Sequence, residues 1–189
     1  MLTNQPPVLG FAAFSGAGKT TLLTHILPIL NQHGLRVGVI KASHHDFDVD
    51  QPGKDSYKLR KAGATPVMLV SPYRRVVITE LTNNADLDLA TQLAAFPSDG
   101  LDLILIEGFR EAPIPKIEVH RSQLGKPLLY PNDKHIIAIA CDSLLPSPIS
   151  IPCLDLNNPE QICEYILQHF FAKGFNSGDD KDKLLSQEK

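Results

Sequence analysis

A glycine-rich segment near the N-terminus carries the residues best suited to chemistry in this chain. It reads Ala13-Phe14-Ser15-Gly16-Ala17-Gly18-Lys19-Thr20-Thr21. Because Gly16 and Gly18 have no Cβ atom, the backbone N–H groups of such a loop can turn inward around a phosphate. Lys19 would reach the β- and γ-phosphates, and the Thr20 hydroxyl would ligate Mg²⁺. The spacing therefore predicts a nucleotide-binding P-loop that uses residues 15–21.

The segments on either side of this loop agree with that interpretation. The apolar run Val8–Phe14 precedes it, and a helix-like pattern of leucines and isoleucines follows. Strand, glycine loop and helix is the order of a P-loop, and the unpaired N–H groups of the helix start favour an anion. Ala13 replaces the first glycine of the usual pattern, at a position that starts the turn. A glycine-rich turn in an ordinary α/β protein is the alternative.

A second candidate group stands at the end of another strand. The run Leu101–Gly108 is almost continuously apolar, which predicts a central parallel strand buried on both faces. Glu107, at its carboxyl end, would hold Mg²⁺ or its water opposite Thr20. Gly108 would let the backbone pass close to the γ-phosphate. A surface Glu-Gly turn is the alternative.

The first helix is followed by a predicted strand, Leu35–Lys41. The loop after this strand, residues 42–55, is dense in acids and histidines. It leaves the carboxyl end of that strand, where ligands gather in open α/β sheets. Asp46, Asp48 and Asp50 are therefore candidates for the magnesium shell or for a loop that responds to the γ-phosphate. The adjacent residues His44 and His45 point in different directions in an extended segment, which favours a solvated loop over a metal site.

One further carboxylate could read the base of a nucleotide. Asp142 follows the predicted strand His135–Ala140, and one carboxylate can accept both the N1–H and N2–H donors of guanine. The Asn-Lys-x-Asp motif of many GTP-binding proteins is absent from the sequence, and 132–134 does not replace it. The residues alone thus leave the choice of base open.

Hydrophobic patterns predict an α/β fold with a mostly parallel twisted sheet flanked by helices. Further helices are expected over 19–33, 55–62, from about residue 86 to 96, and from Asn158 onward. The segments 66–70 and 76–81 predict an antiparallel hairpin extension, about residues 64–82. Its edges need covering, and a second subunit could do this, so the hairpin suggests a homodimer.

Length and composition suit a soluble globular protein. We expect one P-loop domain over residues 1–173 of the 189, followed by a polar, disordered tail, 174–189. A net charge of −3 gives no reason to expect nucleic acid or an anionic membrane as partner, and no apolar run is long enough to span a membrane. The three cysteines lack the spacing of a zinc or redox site, which predicts reduced thiols and a cytoplasmic location.

Motifs beyond the P-loop resemble one family more specifically. They are Ile40-Lys41 with His44-His45-Asp46, then Asp48-Val49-Asp50, Pro52–Tyr57, Leu59–Gly63 and Leu101–Phe109. With the P-loop they make the chain, over about residues 8–172, similar to the MobB family of molybdopterin-guanine dinucleotide biosynthesis adaptor proteins.

That resemblance implies a dimeric GTP-binding protein with weak, magnesium-dependent GTPase activity. The implied partners are a MobA-type guanylyltransferase, which attaches GMP to molybdopterin, the molybdenum-insertion proteins and molybdopterin itself. Carried over by motif, residues 15–21 would cradle the phosphates and Thr20 with Glu107 would serve Mg²⁺. Asp48, Asp50 and Lys54 would complete the nucleotide pocket.

Two other functions share the glycine loop. A P-loop small-molecule or nucleoside kinase usually needs a lid carrying arginines and an acceptor pocket with a general base. Arg74 and Arg75 lie on the predicted hairpin, not on a long lid. A module that binds an anionic pterin through its phosphate is the other alternative. Lys19→Ala distinguishes these hypotheses. It should abolish nucleotide binding in an adaptor or a kinase, and leave partner association intact in a pterin-binding module.

Overall fold

The computed structural model describes residues 5–43, 46–81, 87–145 and 149–172. The strands are β1 (Val8–Ala12), β2 (Val37–Lys41), β3 (Val67–Val70), β4 (Arg75–Ile78), β5 (Leu103–Glu107), β6 (Lys116–His120), β7 (Ile136–Cys141) and β8 (Cys153–Asp155). The α-helices are α1 (Lys19–Gln32), α2 (Asp55–Lys61), α3 (Leu89–Ala95) and α4 (Pro159–Phe171). The described residues divide into two compact units: unit one comprises those within 1–41 and 98–189, and unit two those within 42–97.

Unit one is built on a six-stranded parallel sheet with the order β2-β5-β1-β6-β7-β8. The predicted central strand is confirmed, since β5 lies between β1 and β2 and its residues Leu103–Ile106 are at most 3% exposed. The carboxyl ends of β1, β2 and β5 therefore meet at one edge of the sheet. The fold class predicted from the sequence is confirmed.

The main core of unit one lies between one face of this sheet and two helices. α1 contributes Leu22, Leu23, Ile26 and Leu30, and α4 contributes Ile162, Cys163, Ile166 and Leu167. From the sheet, alternate residues of β1, β5, β6 and β7 join them, as the period of two in a strand requires. This packing fixes the start of α1, and with it the glycine loop, against β1.

The opposite face of the sheet holds a buried lysine. Lys116 is 2% exposed and packs so closely on Gly10 that a Cβ atom there would lie 2.8 Å from its Cγ. Its Nζ donates to the carbonyls of Arg110 and Ala112, each at 2.8 Å, and lies 2.7 Å from a carboxylate oxygen of Asp133. One buried cation thus holds the loop that follows β5.

The ends of α1 also follow from the sequence. The helix runs on through Pro28 and ends as predicted before Gly34, whose φ of 80° suits a residue without a side chain. Leu35 N–H donates to the Leu30 carbonyl and Gly34 N–H to that of Asn31, which is a Schellman arrangement. The short edge strand β8 and two 3₁₀ helices, Ser122–Leu124 and Tyr130–Asn132, are not predicted from the sequence.

Unit two contains the predicted hairpin. β3 pairs antiparallel with β4, with Val67 opposite Ile78 and Val70 opposite Arg75. Few residues of this unit are buried as a whole: among those described they are Asp50, Val67 and Leu89. Its hairpin instead exposes apolar side chains, namely Met68, Leu69, Val70, Tyr73 and Val77.

Some predictions fall on residues that the structure does not describe. These are the pair His44 and His45, the start of the third predicted helix near Asp86, and the tail 174–189, so the domain boundary at 173 also stays a prediction. In the part of the chain that is described, no helix has both the length and the apolar character needed to cross a membrane.

Candidate nucleotide-binding site

The glycine loop connects β1 to α1 in unit one, as the sequence predicts. Gly16 and Gly18 have φ angles of 81° and 92°, a region that side chains disfavour. Gly18 is the N-cap of α1 and brings no side chain to cap the helix. The N–H groups of the first turn therefore keep their capacity to bind an anion.

Lys19 is the first residue of α1 and turns back over the loop. Its Nζ donates to the carbonyls of Ala13 at 3.3 Å and Phe14 at 3.5 Å. Burial lowers the pKa of Lys19, the Glu107 carboxylate acts in the opposite direction, and the charge of Lys41 lowers it further. The negative charge of a phosphate at the loop would offset this desolvation of the ammonium.

Three polar groups meet where β2, β5 and the start of α1 come together. The Thr20 hydroxyl donates to Glu107 Oε1 at 2.7 Å. Lys41 Nζ lies 3.0 Å from the same carboxylate oxygen and 3.2 Å from Thr20 Oγ1. A hydroxyl and a carboxylate are oxygen donors of the kind that Mg²⁺ prefers, and a cation already stands against both. The pair Thr20 and Glu107 therefore fits the magnesium site predicted from the sequence.

The described residues contain no cluster of side chains that could hold a metal ion without other ligands. Within the described ranges, no group of three or more His, Cys, Asp or Glu side chains is placed to hold a metal ion. Mg²⁺ bound beside a nucleotide takes most of its ligands from phosphates and water, so two protein oxygens suffice.

Asp142 lies close to the glycine loop through an arginine. Arg121, which follows β6, donates from Nε to the Ala17 carbonyl at 3.0 Å. Its Nη1 is 3.6 Å from Asp142 Oδ2, and the backbone N–H of Ser122 donates to Asp142 Oδ1 at 3.0 Å. The Ser122 N–H, with help from Arg121, lowers the pKa of Asp142, so that its carboxylate is charged at neutral pH. Arg121 thus connects the Asp142 carboxylate, a hydrogen-bond acceptor, to the glycine loop.

Asp142 also lines a cavity of about 590 Å³ at the carboxyl ends of β7 and β8. Apolar walls come from Leu144, Leu145, Ile149 and Leu154, and polar groups come from Ser143, Asp155, Asn157 and Gln161. A cavity of this size, with apolar walls and several polar groups, suits a flat heterocycle.

Two more cations, Arg110 and Lys126, lie beside the glycine loop at Phe14. The Phe14 ring has the guanidinium carbon of Arg110 at 5.3 Å and Lys126 Nζ at 6.0 Å from its centroid. Both cations come from segments that follow parallel strands, after β5 and β6 respectively. They add to the attraction for a polyphosphate.

The other predicted nucleotide contacts lie in unit two, in contact with an arginine. Arg60 Nη2 is 2.6 Å from Asp48 and 2.7 Å from Asp50, and Nη1 is 2.6 Å from Glu80. Hydrogen bonds with Asp50, Glu80 and Asp48 raise the pKa of Arg60 above its ordinary range. Lys54 is the N-cap residue of α2. A nucleotide-binding role for Asp48, Asp50 and Lys54 stays a prediction.

Two residues at this site, Lys41 and Arg121, have no role that the sequence alone indicates. Each stands at the carboxyl end of a parallel strand or directly after it, as Glu107 and Asp142 do. That position was therefore the available signal, but a lysine or arginine at a strand end is too common to be singled out without its contacts.

Comparison with known proteins identifies the family. The model of the family described as MobB, molybdopterin guanine dinucleotide synthesis protein B, matches residues 8–142. The chain belongs to the MobB family. The match includes the glycine loop, Lys41, Glu107, Arg121 and Asp142.

Individual members agree with this assignment. The molybdopterin-guanine dinucleotide biosynthesis adapter protein of Escherichia coli (strain K12) is 43% identical over 86% of this chain and 92% of its own length. The Haemophilus influenzae protein of the same name is 41% identical over 89% of this chain and 94% of its own. A crystal structure of molybdopterin-guanine biosynthesis protein B (MobB) matches with a TM-score of 0.69 and 30% identity, covering 86% of this chain and 98% of that one.

Proposed function

We propose that this chain is a GTP-binding adaptor in the biosynthesis of molybdopterin-guanine dinucleotide, with a slow, magnesium-dependent GTPase activity. The pathway is inferred from the adapter proteins to which the chain is 43% and 41% identical. One observation carries the nucleotide part: the glycine loop and Glu107 meet at one edge of the sheet, with Thr20 Oγ1 2.7 Å from the carboxylate.

In this proposal the loop 15–21 binds the phosphates through its backbone N–H groups and Lys19. Thr20 and Glu107 hold Mg²⁺, which when bound would offset charge on the β- and γ-phosphates. Glu107 hydrogen-bonds the threonine that serves the metal, an arrangement for the metal shell and not for activating water. Slow hydrolysis is consistent with that arrangement.

The base is proposed to enter the cavity beside Asp142. A charged carboxylate favours guanine, which offers N–H donors at N1 and N2, over adenine, whose corresponding edge has an acceptor at N1. The apolar residues Leu144 and Leu154 would pack on the base. The proposal therefore predicts tighter binding of GTP than of ATP.

A titration with fluorescent GTP and ATP analogues, with and without Mg²⁺, tests the nucleotide proposal. We expect GTP to bind more tightly than ATP, and Asp142→Asn to shift the preference from GTP to xanthosine triphosphate, because an amide N–H can donate to the xanthine C2 carbonyl. Asp155→Asn, elsewhere in the same cavity, is the control. An ATP preference would favour a kinase, and no binding of either nucleotide would overturn the proposal.

The proposed partners are a MobA-type guanylyltransferase, the molybdenum-insertion proteins and molybdopterin. An adaptor needs two binding properties, one for the nucleotide and one for its partner. Association with a purified guanylyltransferase of this type, measured by calorimetry with GTP, with GDP and without nucleotide, tests the role. No association in any state would contradict it.

We also propose that the chain forms a homodimer through the hairpin of unit two. Met68, Val70 and Val77 are 56%, 72% and 50% exposed, so the hairpin presents apolar side chains to solvent. Such a surface on a two-stranded sheet suits a second copy of the same strand pair. Light scattering at micromolar concentration should give twice the subunit mass for the wild type and the single mass for Met68→Asp. A single mass for both would contradict the dimer.

A further inference from the structure

Lys41 stands where a divalent cation would be expected in a P-loop site. Its Nζ is 3.0 Å from Glu107 Oε1 and 3.2 Å from Thr20 Oγ1, the two oxygens that fit Mg²⁺. Those distances are ordinary hydrogen-bond lengths, so the ammonium is bound to both groups. The Glu107 side chain is 12% exposed, which makes an uncompensated negative charge there unfavourable.

The lysine and a metal ion cannot use this position together. Mg²⁺ binds oxygen at about 2.1 Å, so an ion on Thr20 and Glu107 would lie within a few ångströms of the ammonium. The divalent charge of the ion and the charge of the ammonium would repel each other strongly at such a separation. The Lys41 side chain is 56% exposed and has room to leave.

The charge at the site also indicates which ligand Lys41 would contact. Lys19 Nζ lies over the glycine loop on the carbonyls of Ala13 and Phe14, and Lys41 Nζ lies against Glu107, at the start of α1. Two lysines against one carboxylate leave a net positive charge at the end of the glycine loop. A triphosphate is the ligand class that would accept both ammonium groups.

We propose that Lys41 is the resident cation of the magnesium position in the nucleotide-free protein, and that it contacts phosphate in place of the metal when nucleotide binds without Mg²⁺. This rests on the proposed nucleotide site and assigns a role to a residue outside the glycine loop. It follows that the metal must displace Lys41 from Glu107, and that nucleotide binding without Mg²⁺ depends on Lys41.

The displacement is tested on nucleotide-free protein, with Mn²⁺ as the probe, by electron paramagnetic resonance. We expect Lys41→Met to bind Mn²⁺ about tenfold more tightly than the wild type, because the competing charge is gone. Lys41→Arg, which keeps the charge, should resemble the wild type, and Lys41→Met combined with Glu107→Gln should lose the gain. Equal Mn²⁺ affinities for wild type and Lys41→Met would overturn the displacement.

The phosphate contact is tested by the dissociation constant of GTP in EDTA, where no metal competes with Lys41. Loss of a charge-assisted contact should raise this constant in Lys41→Met by about tenfold or more. Lys58→Met, which changes an exposed lysine of α2, is the control and should leave the constant as in the wild type. An unchanged constant in Lys41→Met overturns the phosphate contact. A wild type that binds no GTP overturns the proposed function instead, while the Mn²⁺ experiment still decides the displacement.

Discussion

The two units of this chain are stabilised in different ways. Unit one has a continuous apolar core in which both strands and helices take part, and β5 is buried along nearly its whole length. In unit two, the described residues bury Val67, Leu89 and a carboxylate, Asp50, beside the guanidinium of Arg60. Hydrophobic packing dominates the first unit, whereas the second buries the ion pair of Arg60 with Asp50, to which the half-exposed Asp48 and Glu80 are joined.

The difference suits the roles proposed for each unit. A phosphate site needs N–H groups and charges held in fixed positions before the ligand arrives, and a close-packed core provides this. A surface with exposed apolar side chains is suited to a partner that covers them. In the proposal, unit one binds the nucleotide and unit two provides the surface for association.

The contrast in packing predicts different costs for the same truncation. Leu105→Ala in β5 removes a fully buried side chain and should lower the free energy of unfolding by about 2–5 kcal/mol. Leu69→Ala in β3, where the leucine is 38% exposed, should cost less than about 1 kcal/mol. Urea denaturation followed by circular dichroism measures both. Similar losses of unfolding free energy for Leu105→Ala and Leu69→Ala would contradict the difference in packing between the two units.

A smaller effect is expected where a side chain is added to unit one. Gly10→Ala places a Cβ atom 2.8 Å from Lys116 Cγ and 3.1 Å from Ile114 Cδ1. We expect a loss of about 1–3 kcal/mol in the free energy of unfolding, because Lys116 is buried in the sheet and its ammonium is held by two carbonyls, so that its Cγ cannot move away freely. Gly53→Ala in unit two, where no atom lies within 4 Å of the added Cβ but φ is +89°, isolates the backbone cost alone. A smaller loss for Gly10→Ala than for Gly53→Ala would contradict close packing at β1.

The ion-pair cluster of unit two predicts a local effect. Arg60→Met leaves the buried carboxylate of Asp50 without its cation and should raise amide exchange rates in α2 by at least about tenfold. Amides of β5 should exchange as in the wild type. Lys58→Met, which removes an exposed ion pair with Asp55, serves as the reference. Equal exchange in the two variants would show that Arg60 does not hold unit two together.

Alkylation of the wild-type protein tests the burial of Cys163 in the core between α1 and α4. Burial, with the charge of Glu160 adding to it, raises the pKa of the Cys163 thiol to about 12, whereas Cys153 is exposed. Because the raised pKa favours the neutral thiol in the fold, its contribution to stability is full below pH 9 and falls as the pH rises toward 12. At pH 8, iodoacetamide should alkylate Cys153 at least about a hundredfold faster, as read by mass spectrometry. Equal rates would mean that the helix opens readily.

Much of this architecture could be predicted because its signals are local. The apolar run of β5, the glycine spacing and the Gly34 cap each specify their own element, and the fold class and the family are confirmed. The contacts of Arg60 could not be predicted, because Asp48, Asp50 and Glu80 are brought to it by folding. Lys41 is similar: its meeting with Thr20 and Glu107 depends on β5 lying between β1 and β2, which the chain order does not reveal.

Hydrogen exchange with and without GTP and Mg²⁺, followed by mass spectrometry, tests the central claim most directly. We predict slower exchange of backbone amides in residues 14–21, where the loop N–H groups would bind phosphate, and in the segment after Glu107. The hairpin Val67–Ile78, at constant subunit concentration, should change far less. Unchanged exchange in residues 14–21 under saturating nucleotide would contradict the account.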